Sequence, residues 1–274
     1  MLPAVLSQIV SSLSFLKTKK KTWKWISDQP TNEDIEHIKN STEESPFDPY
    51  KLRKTMLEEY KKGKVSIVCK SSSYAKVIIL GYPGTRIDWN LLGNIFLAIG
   101  PPTNTHQWRV VLFASPSPRL LPSDSHSHPA PENINGGYTY VCDPRAIVIY
   151  RLEEWYRVLI HELLHAACTD NMELEEPIRE AYTETWAELF LIGVLSEGSP
   201  QKALRLWKKQ SQWIVAQESI LTQRGVINST HYSWRYLVSR RSVLEEFSIP
   251  LPPPMDPSLA LSITNGSLKF TCLV

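Results

Sequence analysis

His161-Glu162-Leu163-Leu164-His165, with Glu184 further along the chain, is the stretch from which the rest of the sequence is read. On an α-helix, positions four apart lie one turn above the other on the same face. His161 and His165 would then aim two imidazoles at one point, as a tetrahedral Zn²⁺ requires of nitrogen ligands. Glu162 lies about 100° round the helix from His161. It does not compete for the ion and is placed to take a proton from a water that the metal activates. Leu152, Trp155, Val158, Leu159 and Leu163 precede and enter the motif at helical spacing. Glu153 and Glu154 suit the dipole of a first turn.

After the breaker Thr169-Asp170-Asn171, Pro177 opens a second helix at its first position, predicted over residues 178–196 and closed by Gly198. Glu180, Glu184 and Glu188 form one carboxylate row on it, while Ala181, Trp186, Leu189, Phe190 and Ile192 supply a core side. The row reads either as a solvated acidic face or as the source of the third ligand that two histidines still lack. Two imidazoles and two carboxylates this close are costly to bury without a cation, which favours the metal.

The pattern HExxH followed by Glu184-Thr-Trp-Ala resembles the zincin metallopeptidases, specifically the gluzincin branch, over roughly residues 133–195. The resemblance implies that His161, His165 and Glu184 hold Zn²⁺, that Glu162 is the general base, and that Glu188 supports a ligand histidine; Glu180, in the same row, is a further candidate support. A ligating imidazole usually gives its other N–H to a carboxylate, which fixes its tautomer. The resemblance also implies a tyrosine or histidine downstream that donates to the developing oxyanion. Tyr232, Tyr236 and His231 are the candidates, and ordinary packing is the alternative for each. The Gly-x-Met-Glu-Asn motif by which the aminopeptidase members hold a substrate amino terminus is absent, so exopeptidase activity is not implied. The run from Asn135-Gly-Gly to Tyr150-Arg-Leu-Glu-Glu-Trp also resembles uncharacterised peptidase-like proteins of large DNA viruses.

Composition sets the frame. With 42% hydrophobic and 21% charged residues, this is the make-up of a globular protein. A net charge of +2 and the lack of any RNA-binding signature argue against a nucleic-acid partner. Cys69, Cys142, Cys168 and Cys272 are scattered without a CxxC pair, which predicts free thiols in a reducing compartment. The absence of a clear signal peptide or membrane span points the same way, to an intracellular protein. The N-x-[ST] sequons at Asn40, Asn228 and Asn265 would matter only if the chain is secreted. Leu2, Val5, Leu6, Ile9, Leu13 and Leu16 mark one helical face, followed by Lys17, Lys19, Lys20, Lys21 and Lys24. Residues 1–24 are thus either a membrane-surface or partner-docking helix, or a helix packed on the body of the protein or a partly disordered arm, which is the simpler expectation.

In order, residues 26–50 read as a polar linker with a short helix, 49–62 as a charged helix, and 64–70 and 75–80 as strands. Asp88 caps a helix over 89–99, and 107–114 is another strand. His126 and His128 sit on a Ser- and Pro-rich loop, where a solvated role is the plain reading. Short strands follow at 138–142 and 146–150. Gly136-Gly137-Tyr138 either makes a tight turn or lets an edge strand approach a peptide substrate closely enough to pair with its main chain. Ser199-Pro200 starts a long helix to Arg224, another spans 230–247, and the Asn265-Gly266 step predicts a C-terminal hairpin.

The expected fold class is α+β, zincin-like: a small twisted sheet with an edge strand, then an active-site helix and a helical C-terminal half. The expected segments are an arm and linker (1–48), a metallopeptidase domain (49–249), and a connector with hairpin (250–274). The expected function is Zn²⁺-dependent hydrolysis of a peptide or protein substrate. Its rivals are a catalytically inactive zinc-stabilised binding module and an interaction protein whose HELLH is a coincidence on a core helix.

Overall fold

The β-branched runs of the first half build a sheet with three strands hidden on both faces. In the computed structural model, which describes residues 2–18, 23–103 and 107–274, six strands run in the order β1-β2-β3-β4-β6-β5. They are β1 (Ile26–Asp28), β2 (Ser66–Ser71), β3 (Ala75–Gly81), β4 (Trp108–Ser115), β5 (Gly137–Tyr138) and β6 (Ile147–Arg151). β3, β4 and β6 are mutually parallel, whereas β1/β2, β2/β3 and β5/β6 are antiparallel. The parallel trio reads almost continuously apolar because both faces are covered.

The chain divides into two compact units: one holds residues 21–118 and 135–169, the other 1–20, 119–134 and 170–274. In the sheet unit, α3 (Asn32–Asn40) and α4 (Leu52–Lys61) contribute Ile38, Met56 and Leu57 to a core with Ile78, Leu80, Val111, Phe113, Val148 and Tyr150. α5 (Trp89–Ile99) begins at the Asp88 cap, whose carboxylate accepts from the amides of Asn90 and Leu91. The motif helix α7 (Trp155–Ala166) packs against β5, β6 and α5. Its entry residue Glu154 takes a left-handed φ of 49°, so the acidic pair lies ahead of the first turn instead of inside it.

One charged cluster secures α3 to the sheet. Asp34 is almost fully buried, at 1% exposure, and accepts from Lys76 Nζ at 2.6 Å, Arg109 Nη2 at 2.6 Å and the Thr31 amide at 2.7 Å. Burial pushes its pKa up, but the bonds from Lys76, Thr31 and Arg109 outweigh burial and bring it to about 2 from 3.8. A depressed carboxylate stabilises the fold above its unfolded pKa and loses that contribution as pH falls through the folded value. Asp34→Asn should therefore cost about 2 kcal/mol at neutral pH. Urea titrations of the two proteins should converge as the pH falls from about 4 to about 2. Curves that stay parallel across that window would remove Asp34 from the account.

In the helical unit, α1 (Ala4–Ser12) and α2 (Phe15–Thr18) bury Leu6, Ile9, Leu13 and Leu16 together with the turn between them. α8 (Glu176–Ser196) receives them at Gly193, where a β-carbon would lie 2.7 Å from Ile9 and 2.9 Å from Leu13. Leu6, Ile9, Leu13 and Leu16 of the apolar face are thus taken up by packing, while Leu2 and Val5 are half-buried. Lys19, Lys20 and Lys21 of the basic run lie outside the described residues. α9 (Pro200–Gln223) starts at the Ser199 cap. A short α6 (Pro131–Ile134), a π-helical turn Trp234–Val238 and α10 (Arg240–Glu246) complete the packing with α11 (Pro257–Thr264).

Several expectations change. The tail forms α11, capped by Asp256 and ended by Asn265 in the left-handed region (φ 50°). Asn-Gly here supplies the positive φ that closes a helix as readily as one that turns a hairpin. The strand expected over 138–142 shortens to β5, and the linker after residue 26 adds strand β1 ahead of its short helix, α3. Lastly, Cys142 and Cys168 are joined in a disulfide, correcting the expectation of free thiols. Both residues take left-handed φ (63° and 60°), and the Cys142 amide donates to the His165 carbonyl at 3.0 Å. These turns bring the two α-carbons to 4.7 Å although they are 26 positions apart.

Candidate metal centre

The sheet unit gathers the motif. His161, Glu162 and His165 lie on α7 and are 7%, 5% and 7% exposed. The helical i, i+4 offset brings the two Nε2 atoms to 3.0 Å, with the rings nearly perpendicular at 82°. Two nitrogens sharing a tetrahedral Zn²⁺ at 2.0–2.1 Å would stand about 3.3 Å apart, so the pair fits two corners of such a site. Cys168 is committed to Cys142, which removes it as a thiolate ligand and ties the C-terminal end of α7 to the loop after β5.

β5 lies alongside. Gly137 pairs with Ile149 and Tyr138 with Val148, and the Tyr150 amide donates to the Gly136 carbonyl at 2.8 Å, extending the ladder by one residue. β5 is the last strand of the sheet. Gly136 is buried, whereas Gly137 and Tyr138 are half-buried. The need for glycine at 137 is steric: an added β-carbon would stand 2.8 Å from Val158 Cγ1, 2.9 Å from Glu162 Oε1 and 3.1 Å from the Val148 carbonyl. The candidate base therefore lies directly against the edge strand. Gly137→Ala should force β5 and the Glu162 carboxylate apart and destabilise the unit by about 1–3 kcal/mol, the usual cost of overpacking. A melting temperature equal to that of the parent would show that the strand and helix have slack between them.

Tyr138 is supported from the opposite face of the sheet. The Arg53 guanidinium stands 5.1 Å over its ring and 5.6 Å from that of Tyr150. Arg53 is itself fixed by Asp48 (Nε to Oδ2, 2.9 Å) and by the carbonyls of Ser41 and Glu43. Burial pushes the Tyr138 hydroxyl pKa up. Nothing in the local sequence of α4 marks Arg53 for this role, because a charged helix residue reads as solvated.

The helical unit holds the other candidates. On α8, Glu184 and Glu188 are each 2% exposed and Glu180 is half-buried, so the acidic row is not a solvated face. Glu188 Oε1 accepts from Thr271 Oγ1 at 3.3 Å, and Gln210 contacts the same hydroxyl at 3.1 Å. Thr271 is thus a support for the row that sequence reading missed, lying 83 residues from Glu188. The π-helical turn packs on α8 and carries Tyr236, whose hydroxyl is 3.3 Å from that of Tyr232. Burial, then the negative charge of Glu180, then Tyr232 push the Tyr236 pKa well above 10. Its hydroxyl stays protonated at any physiological pH. Arg235 stacks over the Tyr232 ring at 5.1 Å and pairs with Glu176 at 2.5 Å. His231 is engaged edge-on by His128, with ring centroids 4.4 Å apart, while His126 is exposed.

No family model, curated protein or solved structure matches this chain.

Proposed function

We propose that this chain is a zinc-dependent peptidase with a zincin-like arrangement, in which His161 and His165 hold the ion with a carboxylate from the row on α8. The observation that carries the reading is the grouping on α7. Two buried imidazoles converge to 3.0 Å, and the intervening glutamate lies against an edge strand. The resemblance to the gluzincin pattern favours Glu184 as the third ligand, with Glu180 one turn earlier as its competitor.

Bound there, Zn²⁺ would polarise the scissile carbonyl and lower the pKa of a coordinated water. The remaining chemistry belongs to the chain. An extended substrate pairs through its main chain with the outer edge of β5, the last strand of the sheet, so that binding reads backbone more than side chains. Glu162 accepts the proton of the attacking water and passes it to the leaving amine. A tyrosine hydroxyl donates to the carbonyl oxygen as it gains charge. Of the three candidates, His231 is engaged by His128. Tyr236 and Tyr232 remain, with their hydroxyls 3.3 Å apart.

Elemental analysis of the purified protein tests the reading. One zinc per chain is expected, with loss of the metal in Glu184→Ala and retention in Glu180→Ala. The reverse pattern would move the third ligand one turn along α8. No metal in the parent protein would refute the proposal.

A further inference from the structure

We propose that Asn40, Asn228 and Asn265 are acceptor sites for N-linked oligosaccharide, and that the chain folds in an oxidising secretory compartment with Cys142–Cys168 formed. Two independent features lead there. The first is the disulfide, since such bonds persist where the surroundings are oxidising and are rare in the reducing cytosol. The remaining thiols are sheltered from exchange with it. Cys69 is buried at 3% exposure, and Cys272 is partly buried with its pKa pushed up to about 11, chiefly by burial. A thiol this rarely ionised is a poor attacker of disulfides.

The second feature is the placement of the sequons. The asparagines of all three are exposed, each at or just beyond the end of a helix, where a branched sugar meets solvent and not a packed face. Asn40 is the last residue of α3, and the hydroxyls of Ser41 and Thr42 turn back onto the His37 and Lys39 carbonyls. Asn265 ends α11 in the left-handed region, and Gly266 after it has open space where a side chain would project. Asn228 lies in the loop after α9. Its Oδ1 accepts from the Thr230 hydroxyl at 2.6 Å and from the Thr230 amide at 3.1 Å. The third residue of the sequon thus engages the carboxamide oxygen and leaves Nδ2, the atom to be modified, turned the other way.

The donor is a polyprenyl-diphosphate-linked oligosaccharide. Transfer forms a bond from the sugar anomeric carbon to Asn Nδ2 and breaks the anomeric C–O bond. The polyprenyl diphosphate leaves with that electron pair, and the amide gives up one proton. None of the three sites lies on α7, α8 or β5, so this proposal stands or falls apart from the peptidase reading.

The test is to express the full chain in eukaryotic cells behind a cleavable secretory leader, and to compare gel mobility and intact mass before and after a glycan-removing amidase. Three stepwise mobility shifts are expected, one lost in each of Asn40→Gln, Asn228→Gln and Asn265→Gln. Peptide mapping of the unsubstituted chain reads the same sites as asparagine-to-aspartate conversions, so a variant that folds poorly does not obscure the result. Alkylation of the unfolded, unreduced protein should label Cys69 and Cys272 but not Cys142 or Cys168. A chain that reaches the medium at its unmodified mass, or that labels at Cys142 and Cys168 without reductant, would overturn the proposal. A site without conversion is struck from it.

Discussion

Glu162→Gln is expected to lower kcat/KM for peptide hydrolysis by about 10²–10⁴-fold, the usual contribution of a positioned general base, while zinc content stays at the parental level. The substitution keeps volume and hydrogen-bonding reach but cannot accept a proton. Glu162 is 5% exposed on a helix that buries eleven of its residues, so replacing a carboxylate with a neutral amide should leave α7 folded. That separates two roles. A carboxylate that only filled space would show full turnover and a changed melting temperature after the substitution. A carboxylate that moves protons shows the opposite pattern. Steady-state hydrolysis beside elemental analysis of the same preparation decides between them, and undiminished turnover with bound zinc would end the base assignment.

Removing the disulfide, by Cys142→Ser with Cys168→Ser or by reductant, should cost about 3.5 kcal/mol at 25 °C on the chain-entropy view of a closed loop. The loop spans 26 positions and contains β6 and all of α7, so the helix that carries both histidines is the element released. In a protein of this size such a loss lowers the melting temperature on the order of 10 °C. Urea unfolding with and without reductant measures it. Identical midpoints would mean that the loop is held by packing alone. Zinc should raise the stability of the reduced and oxidised proteins by similar amounts, because its contribution is set by affinity for the folded state whereas the disulfide constrains the unfolded chain.

The parts of the candidate site set by local periodicity were legible in the sequence. The offset between His161 and His165 is a property of any α-helix, and the apolar spacing from Leu152 to Leu163 identified that helix without further information. The same holds for α5, where Asp88 and Gly100 mark both ends, and for α9 between Ser199 and Gly225. The runs that became β3 and β4 were visible because β-branched residues cluster where both faces of a strand are covered, and β2 because such residues suit a pleated surface even when it is partly exposed. The tail was misread because Asn265-Gly266 supplies a left-handed φ without specifying what it terminates.

The sequence by itself determined which residues could share a helix face, and hence that two imidazoles would converge with a glutamate between them. It also determined the carboxylate row on α8 and the apolar stripe that packs α1. Only the tertiary structure decided the pairing of Cys142 with Cys168, the contact of Gly137 with Glu162, and the support of Glu188 by Thr271. Local rules act through the backbone over one or two turns. These three contacts instead join positions far apart in sequence, and which of them meet depends on how whole elements bury their apolar faces.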